Sequence, residues 1–204
     1  VSGATTSTAT LVRKLHEIGV VRLGDFVLKD GSHSPIYIDL RVLAGHPAVL
    51  RLVSDAMLAR AKDLRFDCIA GIPYAGLPLA VAMCLAGDIP LVYPRKEVKE
   101  YGTRKRVEGV FAPGARALVV DDVITTGGAK IEALAPLRDA GLEVEDILVV
   151  VDRQQAGAEV LADSGLRLHS VLTLSDILDQ LEADGALAAE DAARARSLIV
   201  GPAC

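Results

Sequence analysis

Cysteine is scarce in this 204-residue chain: Cys68, Cys84 and Cys204 stand far apart, with no Cys-Xaa-Xaa-Cys pair and no histidine at ligand spacing. That spacing excludes a disulfide framework and a structural zinc site, and it makes a reducing cytoplasm the expected location. Positive charge is also in short supply. Lys and Arg number 22 against 27 Asp and Glu, for a net charge of −5 and a pI near 5.4, so a phosphate polymer meets no general attraction and nucleic acid is not an expected partner. No spanning segment is present. Residues 68–87 carry no charge, yet Gly71, Pro73, Gly76 and Pro78 interrupt the run, which fits a buried strand, a turn and a short packed helix better than a membrane span. Residues 1–8 lack a basic stretch followed by an apolar core and are not read as a secretory signal. His16, His33, His46 and His169 are scattered without metal spacing or a nucleophile partner, and the two Met and three Phe residues read as core filler.

What is present is ordinary globular composition, 51% apolar and 24% charged, in a length that suits one domain with a real core. Leu11, Val12, Leu15 and Ile18 recur at helical spacing until Gly19, and residues 20–41 form two short extended runs around Lys-Asp-Gly-Ser, which predicts a hairpin. A helix follows Pro47. Strands at 66–72, 90–95, 116–122, 144–151 and 166–172 then alternate with helices at 76–86, 128–140 and 156–163. Runs such as Ala-Leu-Val-Val and Ile-Leu-Val-Val-Val belong in a parallel sheet covered on both faces, so the fold class is α/β, doubly wound and mostly parallel. Two Ala-rich helices, 175–182 and 187–198, close the chain in a structural role. The expected organisation is a single domain over 1–204, with an N-terminal segment to about 45, a core over 46–175 and C-terminal helices over 176–204.

The chemistry is concentrated in residues 117–130, Ala-Leu-Val-Val-Asp-Asp-Val-Ile-Thr-Thr-Gly-Gly-Ala-Lys. A buried strand ends in two carboxylates, and a loop of small and hydroxyl residues then opens a helix at the carboxyl edge of the sheet, where α/β proteins bind ligands. Gly127 and Gly128 let amides approach an anion, Thr125 and Thr126 add hydroxyls, and the helix end contributes about 0.3–1 kcal/mol toward a charge. Asp121 and Asp122 would repel that anion. Their partners are therefore sugar hydroxyls or a hydrated divalent cation. Neither Gly-Xaa4-Gly-Lys-Ser/Thr nor a Gly-Xaa-Gly-Xaa-Xaa-Gly after a strand competes for the role.

Residues 117–130 resemble the phosphoribosyl diphosphate motif of type I phosphoribosyltransferases, in which the acids hold ribose hydroxyls and the loop holds the 5′-phosphate. By that resemblance Asp121, Asp122, Val123, Ile124, Thr125, Thr126, Gly127, Gly128 and Ala129 bind the donor. Residues 95–106 hold six basic and two acidic side chains, a net +4 that leaves −9 on the remainder. By composition this is a solvated face. Its position after a strand, with Gly102 and Gly109 as hinges, suits closure over an anionic substrate. Arg-Lys-Glu-Val-Lys-Glu-Tyr-Gly at 95–102 is similar to the catalytic loop of orotate phosphoribosyltransferases, which implies donor contacts from Arg95, Lys96, Lys99 and Tyr101. Tyr101 stands where several members have His. Ile-Pro-Tyr-Ala-Gly at 72–76 resembles the family's pyrophosphate loop, often of unusual peptide geometry, and brings in Tyr74 and Ala75.

Residues 26–41, Phe-Val-Leu-Lys-Asp-Gly-Ser-His-Ser-Pro-Ile-Tyr-Ile-Asp-Leu-Arg, look like the family's orotate-binding segment, and Val-Asp-Arg-Gln at 151–154 looks like its base-proximal strand end. The resemblance covers about residues 15–178. It implies the type I fold with a small N-terminal hood, Lys29, Ile36 and Tyr37 lining the base pocket, and Thr125 and Arg153 binding orotate. Taken alone, Arg153 reads equally as a strand-end salt-bridge residue and Lys29 as a hairpin-turn lysine.

The activity implied is transfer of the phosphoribosyl group to orotate. Mg²⁺ is the implied cofactor, bound mainly through the donor with no protein ligand assigned, and Lys99, Asp121 and Asp122 are the implied catalytic residues. A twofold homodimer sharing the basic loop is the implied assembly. Two other readings stay open: a phosphoribosyltransferase for another base, and a non-catalytic sensor of the donor. If Lys99 meets the charge of the departing group, Lys99→Ala lowers kcat much more than it weakens substrate binding in steady-state assays. An unchanged kcat removes Lys99 from catalysis.

Overall fold

A computed structural model of the chain describes residues 6–27, 31, 33–95 and 106–199. Lys29, Lys96, Lys99 and Tyr101 lie outside the described residues. Helix α1 (Thr8–Glu17) begins where the Ser7 side chain accepts from the Thr10 N–H at 3.2 Å, and it buries Leu11, Val12 and Leu15. The hairpin forms as expected from β1 (Val21–Val27) and β2 (His33–Ile38). Its second run stops at Ile38 rather than continuing to 41. There the Asp39 carboxylate accepts from the Arg41 N–H and starts a 3-10 turn over Leu40–Gly45. Helix α2 (Pro47–Ala61) carries Pro at its start.

The core then alternates: β3 (Cys68–Gly71), α3 (Gly76–Gly87), β4 (Leu91–Pro94), β5 (Val107–Glu108), β6 (Ala117–Ile124), α4 (Gly128–Asp139), β7 (Asp146–Asp152), α5 (Gly157–Asp163), β8 (Arg167–Thr173), α6 (Leu174–Ala183) and α7 (Ala189–Arg196). The sheet order is β5-β4-β3-β6-β7-β8, with five strands parallel and β5 antiparallel to β4 at the edge. The two-residue β5 has no periodicity of its own to read and forms through its pairing with Tyr93 and Pro94. Leu118, Val120, Leu148 and Val150 pack with α1, α2, α3, α6 and α7, while Ala117, Val119, Ile147 and Val149 pack with α4 and α5. Burial on both faces is what the near-continuous apolar runs require. Among the described residues no helix is long and apolar enough to cross a membrane.

One boundary matters for the site. Strand β6 runs two residues past the expected end at 122, because β7 keeps pairing with it through Val123↔Val151 and Ile124↔Asp152. Asp121 and Asp122 therefore stand in the last stretch of the strand, with Asp121 opposite Val149. The hairpin forms a separate sheet; it joins the core through Ile36, which is 2% exposed, and through packing on α7.

At the opposite end of the sheet, Asp146 accepts from Arg167 Nε and Nη2 at 2.8 Å each, and its Oδ1 lies 2.8 Å from His169 Nε2. Arg167 is the main cause holding this carboxyl below the usual carboxylate range. A depressed folded value gives stability that is complete above the ordinary carboxylate range and is lost as pH falls through the folded value. Asp146→Asn is expected to lower stability at neutral pH and to flatten the acid limb of the denaturation midpoint measured against pH.

Candidate functional site

The strand order reverses between β3 and β6, so the connections leaving these neighbours diverge and open a crevice at their carboxyl ends. Two loops meet there: residues 72–75 after β3 and residues 125–127 after β6. They are held close by parallel pairing, Gly71 opposite Val120, and by glycine. A Cβ on Gly76 would lie 2.6 Å from Val120 O and 3.1 Å from Asp121 Cα, so only a bare backbone lets α3 start against the acid-bearing strand.

The 125–128 turn is partly open to solvent, with Thr125 half-buried and Gly127 buried. Thr126 and Gly128 are exposed, and Gly127 takes φ +80°. Among the described residues, no other backbone group accepts from the N–H groups of Thr126, Gly127 or Gly128. These are the orphan donors at a helix start, where the α4 dipole also favours an anion. Ala129 continues the helix backbone. Behind the turn, Gly157 at the start of α5 allows a close approach: a Cβ there would lie 2.6 Å from Thr125 O.

The two acids differ. Asp121 is 4% exposed; its Oδ1 accepts from the Asp122 N–H at 2.8 Å, and its Oδ2 pairs with Lys130 Nζ. Burial pushes the Asp121 carboxyl up, and the Lys130 ammonium opposes that rise. Asp122 is half-buried, with its Oδ1 accepting from the Val123 N–H. Val123 is half-buried as well, and Ile124 is fully buried, so Ile124 serves the site through its backbone.

Across the crevice, the Pro73–Tyr74 peptide bond is cis, Tyr74 is 62% exposed and Ala75 precedes the α3 start. Tyr74, Tyr93, Arg95 and Glu108 line a cleft of about 280 Å³. Arg95 Nη1 donates to Glu108 Oε1 at 2.8 Å, which places a carboxylate beside the expected anion-binding guanidinium.

The base-side candidates come from two other places. Ile36 turns its side chain into the core, whereas Tyr37 is exposed and stacks on Phe26, with ring centroids 5.5 Å apart. Arg153 follows β7, and its N–H donates to Ile124 O at 3.0 Å, which ties the Arg153 loop to the end of the acid-bearing strand. Thr125 is half-buried.

Lys130, Glu108 and Gly157 were not singled out from sequence. Lys130 offered one signal, a cation in the first turn of a helix whose dipole disfavours it; Gly157 offered a glycine at a strand-to-helix junction, and Glu108 offered none.

Residues 42–170 match the phosphoribosyl transferase domain family. The chain is similar to uridine 5′-monophosphate synthase of Bos taurus, 40% identical over 192 residues that cover 93% of this chain and 40% of that protein. It thus spans two-fifths of the length of that relative. It is also similar to orotate phosphoribosyltransferase of Chlamydia caviae, 37% identical over 190 residues covering 92% of both chains. The crystal structure of orotate phosphoribosyltransferase from Aeropyrum pernix superposes with a TM-score of 0.76 at 39% identity, covering 85% of this chain and 98% of that one. Gly157→Ala drives a methyl group into Thr125 O, so it is expected to cost about 1–3 kcal/mol in stability and to weaken binding of a 5′-phosphorylated sugar in calorimetric titration.

Proposed function

The chain belongs to the orotate phosphoribosyltransferases of the phosphoribosyl transferase domain family, and from that premise we propose that it transfers the phosphoribosyl group of 5-phosphoribosyl 1-diphosphate to N1 of orotate. The products are orotidine 5′-monophosphate and pyrophosphate, a step of pyrimidine (UMP) biosynthesis. One observation carries the reading: a turn whose N–H groups have no backbone acceptor among the described residues opens from a strand end bearing two acids, at the crevice where the sheet order reverses.

The reaction breaks the bond between the anomeric carbon and the diphosphate oxygen, building positive charge on the ribose and negative charge on the leaving group. The N–H groups of the 126–128 turn and the hydroxyls of Thr125 and Thr126 hold the 5′-phosphate. The carboxylate of Asp122 accepts from ribose hydroxyls, and Asp121 completes the negative floor beneath the ribose. Arg95, with Lys96 and Lys99, meets the diphosphate charge beside Tyr74 and Ala75, where fixed charges aimed at a developing anion act most strongly once water is displaced. Arg153 presents a planar pair of donors to the orotate carboxylate, with Lys29, Ile36 and Tyr37 on the hairpin side. No nucleophilic side chain is required, because N1 of orotate itself attacks once its proton has passed to solvent.

Among the described residues no three His, Cys, Asp or Glu side chains form a metal cage. Mg²⁺ is part of the proposal as an ion that would be carried mainly by the donor's own oxygens. Bound there, it would supply positive charge to the diphosphate.

A twofold homodimer sharing the basic loop is part of the proposal. It is supported by the apolar groove between α2 and α3, where Leu85 is 82% exposed. Free thiols at Cys68 and Cys84, both pushed up by burial, support a cytoplasmic location. With the donor and Mg²⁺ supplied, the protein is expected to consume the ultraviolet absorbance of orotate and to lose that activity with a chelator. Turnover of uracil or hypoxanthine with none of orotate would overturn the base assignment.

A further inference from the structure

We propose that helix α7 and the turn ending it form a strut that sets the base-recognition half of the site, with Gln155 the positioning residue that fastens the Arg153 loop to that strut. This rests on the reading above that Arg153 and the hairpin hold orotate. The family match, over residues 42–170, includes neither the hairpin nor α7.

Contacts among the described residues anchor the Arg153 loop. The Arg153 N–H donates to Ile124 O at 3.0 Å, Gln154 Oε1 accepts from the Ser175 N–H at 3.0 Å and from its hydroxyl at 2.7 Å, and Gln155 Nε2 donates to Leu198 O at 3.0 Å. Gln154 and Ala156 both take positive φ, +58° and +60°. Non-glycine residues keep that backbone only where the surroundings hold it. Two of the holding contacts come from beyond residue 170, from the start of α6 and from the turn after α7.

The same strut grips the hairpin. Helix α7 packs against β2, burying Ala192 and Ala195 in the cluster that also contains Ile36. Arg194 stands 3.9 Å from Asp25, which holds His33 Nδ1 at 2.9 Å. Arg194 and Leu198 are four residues apart, about 6 Å of helical rise, and the Ser197 N–H continues the helical pattern by donating to Ala193 O at 3.1 Å. One helical turn therefore spans the hairpin contact and the Arg153-loop contact, so its length sets the spacing between the two walls of the base pocket.

The test uses the full chain and steady-state kinetics with both substrates varied. Gln155→Met keeps the side-chain length and removes the donor to Leu198 O. It is expected to raise KM for orotate about threefold to tenfold, the equivalent of one lost hydrogen bond, while kcat at saturating orotate and KM for the donor stay unchanged. Ser175→Ala, which keeps the N–H and removes one donor to Gln154, is expected to shift KM for orotate in the same direction by less. An unchanged KM for orotate in Gln155→Met, or a matching rise in KM for the donor, overturns the strut while leaving the activity assignment intact. Loss of a cooperative melt in both variants overturns it too, by giving these contacts a folding role. If the unsubstituted protein consumes no orotate, the functional reading fails first and this inference falls with it.

Discussion

The crowding of backbone around the carboxyl end of β6 is the constraint on which the rest of the site depends. Three chain segments converge there without side chains between them: the start of α3 at Gly76, the start of α5 at Gly157, and the turn at Gly127. At Gly76 and Gly157 the approach is closer than a Cβ permits, and at Gly127 the φ of +80° favours glycine, so these glycines are demanded by geometry rather than by local flexibility. The result is a small volume in which peptide dipoles and two carboxylates face one crevice, with the Arg95 guanidinium just beyond the end of β4. The reversal of strand order supplies the opening, and the glycines make it narrow enough for amides to act as ligands.

Charge in that volume is balanced by pairing. Asp121 is buried against its own tendency to take up a proton, and Lys130 answers it from the first turn of α4. Pairs of this kind contribute little net stability, because desolvation consumes most of the attraction. Their worth here is geometric: with Oδ1 taken by the Asp122 N–H and Oδ2 by Lys130, the Asp121 carboxylate has one orientation. Arg95 and Glu108 repeat the pattern across the crevice in a more exposed setting, where such a pair is worth still less.

Much of this was legible in the amino-acid order. Continuous apolar runs at β6 and β7 announce strands covered on both faces, and the step from Val-Val to Asp-Asp to Thr-Thr-Gly-Gly marks a ligand turn because few other uses exist for that order of residues. What could not be read is what depends on partners distant in the chain. The two extra residues of β6 exist because β7 continues alongside them. The pairing of Glu108 with Arg95 exists because a two-residue strand returns along β4. Ile36 and Tyr37 look alike as members of one motif, yet strand alternation sends the first into the core and leaves the second exposed. The contributions of α6 and α7 were invisible for the same reason, since an Ala-rich helix declares its propensity and nothing about what it leans on.

The return of the chain at β5 has one more consequence. The Arg95 N–H donates to Arg106 O at 2.8 Å, and Tyr93 and Pro94 pair with Glu108 and Val107, so the described residues 93–95 and 106–108 are tied to each other as a closed stem. A stem closed in this way holds β4 and β5 in register through its own pairs, so the register of Tyr93 and Pro94 against Glu108 and Val107 does not depend on the number of residues joining them.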